Sequence, residues 1–327
     1  MDFSILDFQR PSCSTIPMSS ATDTENAKLP GWVCSRFDLH QVETAFGGDI
    51  AGADTRFPLA SVTKTFTSHL CLVPACKNML DVPLIDVLPY FELADSEATR
   101  QMTPRDALCH FSGLAPHTRD WVRCGLSREA YIRNRLPLLP SEGPFKEKHR
   151  YSNLMYAVLG QWLEELDGRS WEVQVTEDIL KPLGMSGTSH IDETWTEDAA
   201  LPHGVSESGA THEIPPFFAK RNHLIAPASE LIGSMPDLAK WGQFLLGLNP
   251  EDERWKPHSC IRENPRLDYG LGWRLDHIHG EPRYWHSGQC SGYTTLLCLN
   301  PDQKTGTALA TNRSDAVDLL QEMIRHL

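Results

Sequence analysis

No stretch of the 327 residues is apolar for long enough to span a bilayer, so a soluble protein with no membrane partner is expected. Basic residues are in short supply: 30 Lys and Arg stand against 43 Asp and Glu, and the formal net charge of −13 argues against nucleic acid, whose phosphates need a basic surface. The opening residues, MDFSILDFQRPSCST, hold no basic segment followed by an apolar one, so no secretory signal is read there. The nine cysteines never fall as C-x-x-C, which speaks against a disulfide framework or zinc knuckle and favours a reducing, cytoplasmic setting. There is no G-x-S-x-G, so an α/β-hydrolase elbow is not expected, and no Gly-rich phosphate loop. His212-Glu213-Ile214-Pro215-Pro216 is not H-E-x-x-H, and His277 with His279 lacks a third ligand, so neither a metal nor an organic cofactor is expected.

What is present is an ordinary globular composition, 40% hydrophobic and 22% charged, on a chain long enough for a substantial core. Residues 1–28 are weakly patterned and read as a loosely held arm. Trp32-Val33-Cys34 and the run from Val42 into Gly47-Gly48 read as strands or a hairpin. Helices are expected from Ser61 to about Leu72, from Pro104 to Leu108 behind Thr103 as N-cap, over residues 151–166 (YSNLMYAVLGQWLEEL), 171–180 and 236–246. Residues 269–275, 283–285, 293–299 and 307–311 read as strands, and residues 315–326 as a closing helix. Strands at both ends and helices between suit an α/β (α+β) fold: an antiparallel sheet lobe from residues 1–80 and 255–327, with a mainly helical lobe, 81–254, inserted, together one catalytic domain.

Three short constellations could carry chemistry. Ser61-Val62-Thr63-Lys64 places a hydroxyl and an ammonium one helical turn apart, on one face, at a helix N-terminus. A lysine whose pKa is lowered by burial can take the serine's proton. Alone, the tetrapeptide says little: roughly one Ser-x-x-Lys arises by chance at this length, and a capping serine before a surface lysine reads equally well. Tyr151-Ser152-Asn153 offers a tyrosine that could serve as base if positive charge such as Lys64 stabilised its phenolate, and an amide for Lys64 or a substrate carbonyl. A packed tyrosine before a capping residue is the plainer alternative. His286-Ser287-Gly288-Gln289 puts a polar ring and a glycine on a late strand; the glycine would let a substrate lie close, and the N–H groups of Gln289 and Ser61 would form an oxyanion site.

The order of these three motifs resembles the serine β-lactamases of class C, the D-alanyl-D-alanine carboxypeptidases, the D-aminopeptidases and the related family VIII esterases and acyltransferases. Residues 102–114 (MTPRDALCHFSGL), 182–188 (PLGMSGT) and 228–241 (ASELIGSMPDLAKW) are similar to further segments of that family, and the resemblance runs from about Phe57 to the C-terminus. It implies the β-lactamase/penicillin-binding-protein transpeptidase-like fold, with catalytic Ser61, Lys64 and Tyr151 and with Asn153, His286, Gly288 and Gln289 around the substrate. One departure stands out. The family's β-lactamases carry Lys-Thr-Gly at the third motif, and this chain carries His286-Ser287-Gly288, as some of the peptidases and esterases do.

The expectation is therefore acyl transfer from a small-molecule donor to water, an alcohol or an amine, by an intracellular esterase, thioesterase or acyltransferase. β-Lactamase or D-amino-acid peptidase activity is the alternative, and a catalytically silent binding protein the alternative of another class. Residues 115–150 and 202–230, with Trp121 and Phe217-Phe218, are read as walls of an acyl pocket.

Overall fold

Both ends of the chain meet in one antiparallel sheet. The structure, a computed structural model, describes residues 29–114, 121, 124–191, 198–216, 223–260, 267–278 and 280–325. The N-terminal arm, Phe217-Phe218 and His279 lie outside the described residues. Strands β1 (Gly31–Asp38) and β2 (Val42–Gly48) form a hairpin, and β1 pairs with the last strand, β13 (Thr305–Thr311), through Trp32↔Thr311 to Asp38↔Thr305. Three short strands pair separately, β3 (Arg56–Pro58) with β7 (Leu231–Ser234) and β7 with β4 (Ser189–His190), and β5 (His203–Val205) with β6 (Thr211–Glu213) forms a two-stranded ribbon. The eight-stranded sheet continues from β13 through β12 (Tyr293–Asn300), β11 (Glu281–Cys290), β10 (Arg274–Ile278) and β9 (Asp268–Tyr269) to β8 (Ser259–Cys260).

Alternation along β12 shows why this sheet is covered on both faces. Leu297 and Leu299 enter the core shared with the helices, and Leu296 and Cys298 enter a second cluster with Trp32, Trp285 and Leu320. Leu320 belongs to the closing helix, Val317–Arg325, which caps that outer face. One expected strand is two: residues 269–275 split into β9 and β10, because Gly272 adopts φ +83° and turns the chain between them.

The helix Thr63–Leu72, here α1, is buried along nearly its whole length although its sequence, TKTFTSHLCL, is rich in polar groups. Each buried hydroxyl has a partner. Thr65 Oγ1 donates to Val62 O, Thr67 Oγ1 to Pro227 O and Ser68 Oγ to Leu271 O. Trp171 and Trp241 donate their indole N–H groups to Thr67 and Thr65. The polar run thus anchors α1 to four other segments, at Pro227, Leu271, Trp171 and Trp241.

A second long helix, α2 (Asn153–Asp167), supplies Leu154, Val158, Trp162 and Leu163 to the core and ends at Gly168 with φ +79°. It begins two residues later than its periodicity suggests, so Tyr151 and Ser152 precede it as extended chain. A third, α3 (Met235–Leu246), is capped by Ser234 Oγ and packs against β1 and β13.

Gly160 of α2 lets the segment carrying Pro227 approach closely, because a Cβ there would stand 2.2 Å from Pro227 Cγ. Gly160→Ala therefore sets two effects against each other. Helix propensity favours alanine by about 1 kcal/mol, while overpacking costs about 1–3 kcal/mol. The proline ring has little room to yield, so a net loss of stability is expected, read as a lower denaturant midpoint at unchanged m-value.

Candidate active site

Ser61 owes its position to a strained turn at the end of β3. Phe57 and Pro58 pair with Gly233 and Ile232 of β7, and Leu59 N–H donates to Leu231 O at 2.8 Å. Ala60 then takes φ +45°, rare for a residue with a Cβ, and Ser61 follows in a single 3₁₀ turn before α1. The site residues expected from the sequence converge here, although Lys64, Tyr151 and His286 come from three distant parts of the chain.

Lys64 is completely buried and its Nζ touches three acceptors: Ser61 Oγ at 3.0 Å, Asn153 Oδ1 at 2.7 Å and Ala228 O at 2.9 Å. Burial, helped by the charge of Arg274, holds its pKa well below the usual lysine value. A neutral amine has two N–H groups and one lone pair. Asn153 Oδ1 and Ala228 O accept the two N–H groups, so the lone pair is left for the Ser61 hydroxyl proton. The same bond leaves the Asn153 amide nitrogen as the donating end of that side chain.

Tyr151 is half-buried, and its ring centroid lies 4.8 Å from Lys64 Nζ. Burial pushes its pKa up to about 12, against the lowering effects of a hydrogen bond with Ser61 and of Arg274. The expected phenolate is therefore not the resting form at neutral pH. Tyr151 holds its proton, and the group whose pKa is lowered is Lys64, by burial and the charge of Arg274.

Gly288 faces the nucleophile turn. A Cβ on it would stand 2.1 Å from Leu59 O and 3.1 Å from Ala60 Cβ, so its want of a side chain serves the packing of β11 on that turn rather than room for a substrate. The pairing of β10 with β11 stops at Arg274↔Trp285, while β12 continues alongside β11 to Cys290. From His286 onward the flank that faced β10 has left that ladder, and Gln289 there is exposed. His286 is 1% exposed and held below its ordinary pKa by burial, then by Arg274 and Lys64, so it stays neutral.

Three residues of this cluster carried no role in the sequence reading. Arg274 depresses Lys64, Tyr151, His110 and His286 through its charge, and its Nε is buried with no hydrogen-bond partner among the described residues. Nothing local in the sequence marks it. His110 and Tyr269 lie beneath Tyr151 and His286. His110 stood inside the matched segment 102–114, which was the available signal. Among the other expectations, His277 is exposed, and Trp121, half-buried, packs against the main core.

Comparison with known proteins gives the same picture. The family model described as Beta-lactamase matches residues 37–326. The chain is 28% identical to penicillin-binding protein 4 of Amycolatopsis lactamdurans, over 91% of this chain and 85% of that one. It is 27% identical to the unguisins hydrolase ungD' of Aspergillus campestris over 76% of its length, spanning about half of that protein (51%). Among solved structures, a D-stereospecific amidohydrolase from Streptomyces sp. superposes with TM-score 0.79 at 23% identity, covering 96% of this chain and 98% of that one. A class C β-lactamase superposes with TM-score 0.75 at 14% identity, covering 96% and 94%. No helix among the described residues is long and apolar enough to cross a membrane.

Proposed function

We infer the activity from one premise: this chain belongs to the β-lactamase family, a family of serine hydrolases. On that premise the proposal is acyl transfer through a covalent intermediate on Ser61, from a small-molecule ester, thioester or amide to water, an alcohol or an amine. The observation that carries it is the 3.0 Å contact between Lys64 Nζ and Ser61 Oγ, with the other two Lys64 partners unable to take up its lone pair.

In this reading Ser61 Oγ attacks the acyl carbonyl as its proton passes to Lys64. The N–H groups of Ser61 and Gln289 hold the oxyanion. As the intermediate collapses, the leaving group takes the Tyr151 proton, and Lys64 restores it. The acceptor then attacks the acyl-enzyme, giving its proton to Lys64, and as the bond from Ser61 Oγ to the acyl group breaks that proton returns to Ser61 Oγ.

Within that range, amide hydrolysis is the narrower reading that the D-stereospecific amidohydrolase among the structural neighbours suggests. β-Lactam turnover is disfavoured, because a neutral, buried His286 stands where the family's β-lactamases place a lysine. Intact-mass spectrometry tests the proposal, after incubation with p-nitrophenyl esters, acyl thioesters, D-amino-acid p-nitroanilides and nitrocefin. An acyl adduct on Ser61 from the first three is expected. Rapid nitrocefin turnover would overturn the preference, and failure of Ser61 to take a fluorophosphonate label would leave the silent binding protein as the better account.

A further inference from the structure

Beneath Tyr151 runs a chain of hydrogen bonds that the acyl-transfer steps do not use. The backbone N–H of Ser152 donates to His110 Nδ1 at 3.1 Å. With that nitrogen accepting, a neutral His110 carries its proton on Nε2, which stands 3.2 Å from the Tyr269 hydroxyl. That hydroxyl stands 3.1 Å from His286 Nε2, and His286 Nδ1 stands 2.9 Å from Ser287 O. A carbonyl only accepts, so His286 carries its proton on Nδ1 and its Nε2 accepts from Tyr269. Both rings are almost fully buried, 0% and 1% exposed, which favours their neutral forms. Every proton in the chain then has one place: Ser152 N–H to His110, His110 to Tyr269, Tyr269 to His286, His286 to Ser287 O. A charged His286 would break it, since Tyr269 would then receive two donors and its own proton would have to turn out of the chain, toward the Tyr156 hydroxyl.

The ends of this chain are the second and third sequence motifs. Ser152 lies between Tyr151, bonded to Ser61, and Asn153, bonded to Lys64. His286 opens the stretch of β11 whose Gly288 abuts the nucleophile turn. Tyr269 is itself tied to the nucleophile's helix, because the turn after it presses on α1, where Ser68 Oγ donates to Leu271 O at 2.6 Å. We propose that Tyr269, acting with His110, is a positioning residue of this site: its hydroxyl, accepting from His110 and donating to the Nε2 that the bond to Ser287 O leaves unprotonated on His286, holds the Tyr151-Ser152-Asn153 turn and the Ser287–Gln289 edge in one register around Ser61. The effect on rate rests on the reading of Ser61 as nucleophile; the proton arrangement does not.

Nitrogen-15 NMR of the histidine side chains tests the arrangement in the unaltered protein, with His110 and His286 assigned by the signals lost in His110→Gln and His286→Gln. Nε2–H on His110 and Nδ1–H on His286 are expected. Tyr269→Phe keeps the ring and removes the hydroxyl. There His286 Nε2 is expected to lose its hydrogen bond, read as a shift of that nitrogen's resonance with Nδ1 still protonated, and the rate of fluorophosphonate labelling at Ser61 to fall about 10- to 100-fold, the scale of a small misplacement of reacting groups. Opposite tautomers in the unaltered protein overturn the proposal, as does a Tyr269→Phe protein that keeps both the His286 Nε2 resonance and its labelling rate. If the variant does not fold, the tautomers of the unaltered protein decide. If the unaltered protein takes no label, the nucleophile reading fails, and the tautomers still decide the arrangement.

Discussion

Ser61→Ala is expected to end fluorophosphonate labelling and to lower kcat/KM on the best ester of the panel by about 100,000-fold, the scale of removing the attacking group of a serine hydrolase. The fold should barely register the change. Ser61 is half-buried, and the substitution removes a hydroxyl whose bonds to Lys64 and Tyr151 contribute about 1 kcal/mol each. Turnover, intact mass and a thermal melt measured side by side therefore separate chemistry from folding. Residual turnover near the unaltered level would remove Ser61 from the mechanism. Unchanged ligand binding with no turnover in either protein would instead fit a silent binding member.

Lys64→Arg carries the second large effect. Arginine keeps the positive charge and cannot give up its proton, so it tests deprotonation rather than charge. A loss of about 1,000-fold is expected, within the range for a general base. The pH profile is the sharper readout. Buried Lys64, its pKa depressed first by burial and then by Arg274, must be neutral to accept the Ser61 proton, so the labelling rate rises as pH climbs through that depressed value. Turnover of a substrate whose leaving group needs a proton should in addition fall near pH 12, where Tyr151 loses the proton it gives. Lys64→Arg should lack the rising limb altogether. A profile in the unaltered protein that rises only at the ordinary lysine pKa would contradict the buried, neutral base.

Much of the fold was legible because its signals are local. The capping box at Thr103 and Asp106, the apolar periodicity that ends at Gly168, and the serine cap ahead of α3 each depend on residues within a turn or two of one another. Alternation in the C-terminal strands was equally readable. The strand over residues 269–275 was misread because a single Gly272 with positive φ divides it, and Tyr151 was placed at a helix start that begins two residues later. In both places the deciding contacts come from other segments: α1 receives the turn at Gly272, and His110 captures the Ser152 amide.

The sequence by itself determined which groups were available for chemistry: a serine and lysine one turn apart, a tyrosine with an asparagine two residues on, and a histidine where the family's β-lactamases have a lysine. Order and spacing suffice for that, because each motif is a short string. Tertiary structure alone decided their protonation. Burial of Lys64 among Asn153 and Ala228, in the field of Arg274, lowers its pKa as the proposed base requires, and burial of Tyr151 keeps its proton on. The physical reason is that a pKa follows from desolvation and neighbouring charge. Here Asn153, Ala228 and Arg274 lie 89 or more positions away from Lys64, brought together with it only by the tertiary fold.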